Sequence, residues 1–282
     1  MTATAPMNPL LKDSEEAGKR TGPLGSVVVV AVCLAVGQAL SWVVLKVVDV
    51  DSGSVTESGL SNVIAFAPTA VLLALWVVLR ERRPFPSLGF RGRGKGRKVL
   101  IGLATAVVGL IVLNVAVSAA AGGGAEDGTD TDTSAPPLSL LLLLITFAVQ
   151  APTEEMLFRG YLLPVFSNRW GAAAGVLLSS ALFGLAHLVN TGATAAYALI
   201  TFALGLSLSL WALADGSLWR SCAFHTVWNW APTALSSGEG EGSAHEVAGL
   251  DGGTLTAVVC VLLLVAASAL WSYRRSLRRR RA

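Results

Sequence analysis

The sequence predicts an all-α fold: a polytopic transmembrane helix bundle of about eight spans, with both termini cytoplasmic. Hydrophobic residues make up 53% of the 282-residue chain and charged residues only 14%. A soluble domain of this length would not show that balance. The apolar residues form runs long enough to cross the ~30 Å hydrocarbon core of a bilayer. The charged residues are sorted by sign between alternate loops, as the positive-inside rule predicts for a membrane protein.

Eight apolar runs are the predicted spans. They are nearly free of charge and cover residues 26–48, 62–79, 99–121, 138–163, 172–189, 193–214, 218–235 and 254–273. The first run is followed by no small-residue cleavage site, so we interpret it as a span and not as a cleaved signal peptide. The chain then divides into a cytoplasmic tail, three N-terminal helices, a flexible exterior loop, a helical core, a last span and a basic tail, over residues 1–25, 26–121, 122–137, 138–235, 254–273 and 274–282.

Loop charges test the number of spans independently. The connection 80–98 and the tail 274–281 are crowded with Arg and Lys. The loops on the other side carry acids, namely Asp49, Asp51, Glu57, Glu126, Asp127, Asp130, Asp132, Glu239, Glu241, Glu246 and Asp251. With the basic side cytoplasmic, both termini lie inside, which requires an even number of spans. The basic loops are expected to face anionic lipid headgroups of the bilayer and not nucleic acid. The positive-inside rule and the attraction of Lys and Arg to these headgroups both predict basic residues next to the membrane.

Several features carry no predicted chemistry. Cys33, Cys222 and Cys260 lie far apart in apolar segments and suggest neither a disulfide framework nor a thiol metal site. Residues 119–137 are rich in Gly, Ala, Thr and Asp without apolar periodicity, which is typical of a flexible loop. His245 opens a zinc-protease-like pattern but lacks the second histidine four residues on. The sequence contains no Gly-x-Ser-x-Gly elbow, so no serine nucleophile is predicted.

Two acids and a base interrupt the fourth apolar run. Glu154, Glu155 and Arg159 lie within a helix predicted from about residue 138. A carboxylate in hydrocarbon costs about 2.5–3.5 kcal/mol on insertion scales, so such a residue indicates a functional site and needs a partner. Glu155 and Arg159 are four residues apart on one helix face and can neutralise each other, whereas Glu154 points about 100° away. Glu154 is therefore the acid left for chemistry.

Two histidines and an amide lie in later apolar runs. His187 lies deep in the fifth run, and His225 and Asn229 are four residues apart on one face of the seventh. If the fourth and fifth spans form an antiparallel hairpin about the turn 168–171, Glu154 and His187 each lie roughly 16 residues, or about 24 Å, from that turn and can face each other. His225 is only about eight residues from the start of its span, so a common level requires tilt, an irregular sixth span or an earlier helix start.

Each of these residues also has a purely structural interpretation. A lone intramembrane histidine can be a satisfied hydrogen-bonding group between helices. For Glu155 and Arg159 a structural ion pair is the favoured interpretation, and Phe183 is expected to pack. The conjunction favours function, because a free carboxylate, two histidines and an amide all lie within spans. A carboxylate and imidazoles suit the activation of water, with or without a metal.

Three short motifs occur in order on separate predicted helices: E-E-x-x-x-R at 154–159, F-x-x-x-H at 183–187 and H-x-x-x-N at 225–229. Each motif is weak by itself, but three in this order within apolar spans are specific. Together they resemble the CPBP family, the CAAX-processing and bacteriocin-processing intramembrane proteases of the Rce1 and Abi type. The resemblance covers residues 138–232, and the first three spans and the last carry no family signature.

The resemblance implies hydrolysis of a peptide bond within the cell membrane. Glu154 would be the general base, His187 would help to hold and polarise the water, and His225 with Asn229 would bind the developing oxyanion. The supporting positions would be Glu155, Arg159 and Phe183. A competing version makes Glu154, His187 and His225 the ligands of a divalent metal, zinc first, with one position open for water. The implied partner is a membrane-associated protein or peptide substrate, processed at a CAAX or bacteriocin-leader type of site.

Two other classes of protein could carry the same residues. A non-enzymatic membrane protein, such as an immunity factor or a scaffold, could keep the cluster for structure. A proton-coupled transporter could use buried acids and histidines as a relay, but it would be expected to show repeated halves, which are not visible here. A scaffold would not need all three motifs to be complete. An intramembrane protease is therefore the favoured function.

Overall fold

Helices account for almost all of the structure. The computed structural model describes residues 8–12, 21–48, 55–120, 136–190, 192–235 and 252–281. In these ranges the chain forms helices and short connections without a strand, which confirms the predicted all-α fold. The predicted exterior loop 122–137 lies almost entirely outside the described residues, as do most of the acidic loop residues and His245.

Ten α-helices are present in the described ranges. In chain order, α1 to α10 cover Pro9–Lys12, Pro23–Val48, Val55–Leu75, Lys95–Ala120, Pro137–Glu155, Leu163–Trp170, Ala172–Ala186, Ala195–Asp215, Trp219–Leu235 and Gly252–Arg281. Two π-helices cover Trp76–Arg80 after α3 and Met156–Leu162 between α5 and α6, and two 3-10 turns cover Phe85–Leu88 and His187–Val189. α5, the second π-helix and α6 therefore form one continuous rod.

Each of the eight predicted spans corresponds to a helix. In the described part of the chain, seven of these helices are long and apolar enough to cross a membrane. The exception is α9, whose 17 residues rise only about 25 Å and include the polar residues Arg220 and His225. The last helix continues past the predicted end at residue 273, so the basic residues that follow form its final turns. The chain is a multi-pass membrane protein, and the side on which its termini lie stays a prediction.

The helices that carry the three motifs pack against several neighbours. α5 packs against α3 and α9, and α7 packs against α6 and α8. α2 covers α3 on one side, while α4 and α10 cover α9 and α8 on the other. Only Gly171, with φ +89°, separates α6 from α7, so the predicted hairpin is present. The outward faces of α2, α4 and α10 carry exposed Val and Leu, as expected of helices that contact lipid.

The turn between α8 and α9 is recessed within the protein. Leu218 in this turn has no exposed surface, and its amide donates a hydrogen bond to the Gly89 carbonyl at 3.0 Å. Leu10 of α1 is 1% exposed and belongs to the same buried apolar cluster as Leu218. α9 begins at Trp219, so no earlier helix start accounts for the level of His225, which nevertheless lies 3.5 Å from Glu154.

Candidate active site

The rod from α5 to α6 changes its helical geometry next to the two acids. Pro152 lies inside α5, and the α-helix ends at Glu155, where the π-helix Met156–Leu162 begins. π-Helical turns are rare and occur frequently at functional sites. Gly160 lets this segment pack closely on the neighbouring 3-10 turn, because a Cβ there would overlap the carbonyl oxygen of Leu88. The π-helix is therefore packed closely against the 3-10 turn Phe85–Leu88, directly after the two acids.

Glu155 forms the predicted ion pair and one further contact. Its Oε1 accepts a hydrogen bond from Arg159 Nη1 at 2.9 Å, and both side chains are completely buried. The same oxygen lies 3.1 Å from Nδ1 of His225 on α9. A carboxylate beside an arginine is an acceptor only, so we assign the proton to Nδ1 of His225. Glu155 thus links α5 to α9 and orients the His225 ring.

Glu154 has a different set of neighbours. The residue is 5% exposed, and its Oε1 accepts a hydrogen bond from Nε2 of Gln150 at 3.1 Å. Its Oε2 is buried 3.5 Å from Nε2 of His225 and has no hydrogen-bond partner among the described residues. Glu154 is therefore held by one oxygen, and its other oxygen is available beside an imidazole.

His187 opens the 3-10 turn that follows α7 and is half-buried. Its Nδ1 lies 2.8 Å from the carbonyl oxygen of Phe183. Because a carbonyl oxygen only accepts hydrogen bonds, Nδ1 donates, and Nε2 of the neutral ring carries a lone pair. His187 also lies within electrostatic range of Glu154. The hairpin therefore brings these two residues into one neighbourhood, as the spacing predicts.

Phe183 is fully buried and contacts both histidines. Its ring centroid lies 4.5 Å from that of His187 and 5.8 Å from that of His225, and the ring planes are inclined edge to face. The guanidinium carbon of Arg159 lies 4.1 Å from the same ring centroid, which makes a cation–π contact. These contacts agree with the predicted packing role of Phe183.

Asn229 lies one turn after His225 on α9 and is half-buried. Its backbone carbonyl accepts a hydrogen bond from the Thr233 hydroxyl at 3.0 Å. In the residues that the structure describes, its side-chain amide bonds to none of the other predicted site residues. The structure thus brings together Glu154, Glu155, Arg159, Phe183, His187 and His225 and does not join Asn229 to them.

Gln150 is a contact residue that the sequence interpretation missed. It lies four residues before Glu154, the spacing that places two side chains on one helix face. The same spacing rule pairs Glu155 with Arg159. A lone amide within an apolar run, one turn before an acid, was therefore a usable signal.

The predicted zinc ligands form only part of a zinc site. Oε2 of Glu154 and Nε2 of His225 are 3.5 Å apart, close to the roughly 3.3–3.4 Å between two ligand atoms of a tetrahedral zinc with bonds of ~2.0–2.1 Å. His187 has a free Nε2 to offer as a third ligand. However, no three His, Cys, Asp or Glu side chains in the described ranges are grouped closely enough to hold a metal ion. The residues present do not fit a three-ligand site, and zinc binding stays a prediction.

Comparison with known proteins yields one match. Residues 136–231 match the family model described as "Type II CAAX prenyl endopeptidase Rce1-like". The matched segment begins at the start of α5 and ends within α9, so it contains all three motifs as well as Gln150. No curated protein and no solved structure matches the chain.

Proposed function

Because this chain belongs, through residues 136–231, to the CPBP family of Rce1-like CAAX proteases, we propose that it is an intramembrane endopeptidase in which Glu154 activates water. The substrate class that we propose is a membrane-associated protein or peptide of the CAAX or leader type. The observation that carries the mechanism is the unpartnered Oε2 of Glu154, buried beside His225 within the described residues. A general base needs such an oxygen within hydrogen-bond reach of a water.

Glu154 acts as the base in the first step. A water at its Oε2 gives a proton to the carboxylate while the water oxygen attacks the carbonyl carbon of the scissile peptide bond. His187 holds the same water through Nε2, which can accept because Nδ1 donates to the Phe183 carbonyl. With both hydrogens of the water directed at acceptors, its lone pairs are left to face the substrate carbonyl, and correct orientation lowers the barrier.

His225 and Asn229 stabilise the oxyanion that this attack creates. Nδ1 of His225 is held by Glu155, which leaves Nε2 facing Glu154 Oε2 at 3.5 Å. The proton that Glu154 takes from water can be shared with this nitrogen, so that the same edge of the ring donates to the oxyanion until the proton leaves with the amine. The Asn229 amide supplies a neutral donor from the next turn of α9. A donor aimed at a developing oxyanion contributes about 2.7–4 kcal/mol in comparable sites. Glu154 then passes its proton to the leaving amine, and the peptide bond breaks.

Two alternatives use the same residues differently. A metal-dependent protease would hold a divalent ion with Glu154, His187 and His225, and it would lose activity with a chelator and regain it with zinc. A scaffold would keep the cluster for stability, and it would not hydrolyse the peptide with or without metal. The buried, unpartnered oxygen of Glu154 favours catalysis over the scaffold, because leaving such an oxygen unpaired costs about 1–3 kcal/mol of stability.

The replacement Glu154→Gln tests the proposed function. The assay uses the full-length protein in liposomes with a fluorogenic, prenylated CAAX-type peptide. We expect wild-type folded yield and cleavage slowed by roughly 10²–10⁴-fold, because an amide cannot take the proton from water. Wild-type cleavage by this variant would contradict the assignment. If Glu154→Gln is active and a folded Glu155→Gln is inactive, the roles of the two acids are reversed.

A further inference from the structure

Gln150 has a direct contact with the acid of the site. Its Nε2 donates a hydrogen bond to Oε1 of Glu154 at 3.1 Å, from one turn earlier in α5. None of the three sequence motifs includes this residue. Resting on the proposed function, we propose that Gln150 is a positioning residue that anchors Oε1 and thereby presents Oε2 as the proton-accepting oxygen.

A glutamate needs such an anchor because its terminal torsion is soft. Rotation about the last bond of a Glu side chain is broad and roughly two-fold, so an untethered carboxylate offers either oxygen in many orientations. Among the described residues, Gln150 supplies the one hydrogen bond to this carboxylate, and Nε2 of His225 lies 3.5 Å from the opposite oxygen. Only Gln150 therefore fixes the plane of the carboxylate relative to the water and to His187.

The far end of the amide argues against a purely structural role. Oε1 of Gln150 is buried and has no hydrogen-bond partner among the residues that the structure describes. A buried acceptor without a partner lowers stability, and an apolar side chain of similar size would avoid that cost. The amide orientation follows from the contact, because only the amide NH₂ can donate to a carboxylate. Gln150 is thus costly for folding and useful to Glu154.

The first test replaces the two glutamines of the chain in parallel. Gln150→Leu removes the donor, while Gln38→Leu makes the same change at an exposed position of α2. With the prenylated peptide in liposomes, we expect kcat of Gln150→Leu, measured per folded molecule, to fall roughly 10- to 100-fold relative to Gln38→Leu, with KM within about twofold. A kcat within about twofold of wild type would overturn the proposal. A rise in KM alone, or a loss of activity that follows a loss of folded protein, would do so as well.

A second variant, Gln150→Glu, gives a pH signature that a structural role would not produce. When protonated, the new carboxyl can donate to Glu154 as the amide does, whereas when ionised it repels Glu154. The other charged or titratable groups around Glu154 are Glu155 and Arg159 along the rod, His187 after α7 and His225 on α9. α3, also packed on α5, has none between residues 59 and 79.

We therefore expect the pH optimum of Gln150→Glu to lie below that of the wild type, with the largest loss of activity at high pH. An unshifted pH profile with wild-type kcat would overturn the positioning role. The two proposals fail differently. Wild-type cleavage by Glu154→Gln overturns the proposed function itself, whereas an inactive Glu154→Gln with a fully active Gln150→Leu overturns only the role of Gln150.

Discussion

Glu154 and Glu155 are adjacent in sequence, and His225 is the residue that contacts both. Nδ1 of the ring lies 3.1 Å from Glu155, and Nε2 lies 3.5 Å from Glu154. Glu155 is further neutralised by Arg159, while Glu154 meets only a neutral amide on its other side. The two acids therefore differ through their partners and not through their burial. One imidazole couples the ion pair to the acid that we propose as the base.

At the residue scale, the Glu155–Arg159 pair can be tested by removing either partner. Glu155→Gln leaves a buried cation and Arg159→Ala leaves a buried anion, and breaking a buried pair this way typically costs about 3–5 kcal/mol. We expect both variants to show lower folded yield and a lower melting temperature in detergent. Because Glu155 also orients His225, the folded fraction of Glu155→Gln should cleave more slowly than wild type as well.

The control for this pair is Arg169→Ala, which removes an exposed arginine at the end of α6. It should leave yield and melting temperature unchanged, because exposed charges contribute little to stability. Equal yields for Arg159→Ala and Arg169→Ala would contradict a stabilising ion pair.

At the scale of elements, the π-helix is anchored at its far end through Tyr161. The Tyr161 hydroxyl donates to Oε1 of Glu81 at 2.9 Å and accepts from Trp76 Nε1 at 3.1 Å. Arg83 pairs with the other oxygen of Glu81 at 2.9 Å, and the backbone amide of Thr21 completes the set of donors. The segment that follows α3 thus holds the C-terminal end of the π-helix in place through these hydrogen bonds. We expect this to help fix the position of the two acids before it.

The Glu81 anchor predicts a specific pH dependence of stability. Burial by itself would raise the pKa of Glu81, but the hydrogen bonds from its donors and the charge of Arg83 outweigh burial and hold the pKa below its ordinary value of 4.5. A lowered pKa means that this stabilisation is complete above about pH 4.5 and is lost as the pH falls through the folded-state value. We expect Glu81→Gln to melt at lower temperature than wild type at pH 7, with a gap that narrows below pH 4.5. A gap that is constant down to pH 3.5 would contradict this role.

Elements and contacts differ in how far the sequence predicts them. In the described part of the chain, apolar runs predict eight helices, of which seven are long and apolar enough to cross a membrane and α9 is not. Length and composition decide whether a segment can span a bilayer. The i,i+4 rule predicts the Glu155–Arg159 pair, since both residues lie on one helix. The π-helix was not predictable, because it accompanies the close approach of Gly160 to a turn 72 residues earlier. The approach of His225 to Glu154 was not predictable either, because the turn before α9 packs against residues distant in sequence, Leu10 and Gly89.

At the scale of the whole molecule, helices that carry no motif cover two sides of the site. α2 and α3 cover the rod on one side and α4 and α10 cover α8 and α9 on the other, and Glu154, Glu155, Arg159 and His225 are buried, while His187 is half-buried. Intramembrane charges are expected to face the interior of a bundle in this way. α5 packs on α9 and the π-helix that follows α5 packs on α7, so we expect the roles of their polar residues to depend on one another.

The most direct measurement of that dependence compares His187→Ala, His225→Ala and the double mutant. Cleavage of the prenylated peptide in liposomes is measured for each, with folded yield determined in parallel. Residues that act as one catalytic unit have non-additive effects, so we expect each single mutant to be nearly inactive and the double mutant hardly worse. Independent structural histidines would instead each lower the stability a little, and their effects on the free energy would add in the double mutant. Losses that multiply in the double mutant, or two single mutants that remain active, would contradict the claim that these helices build one catalytic centre.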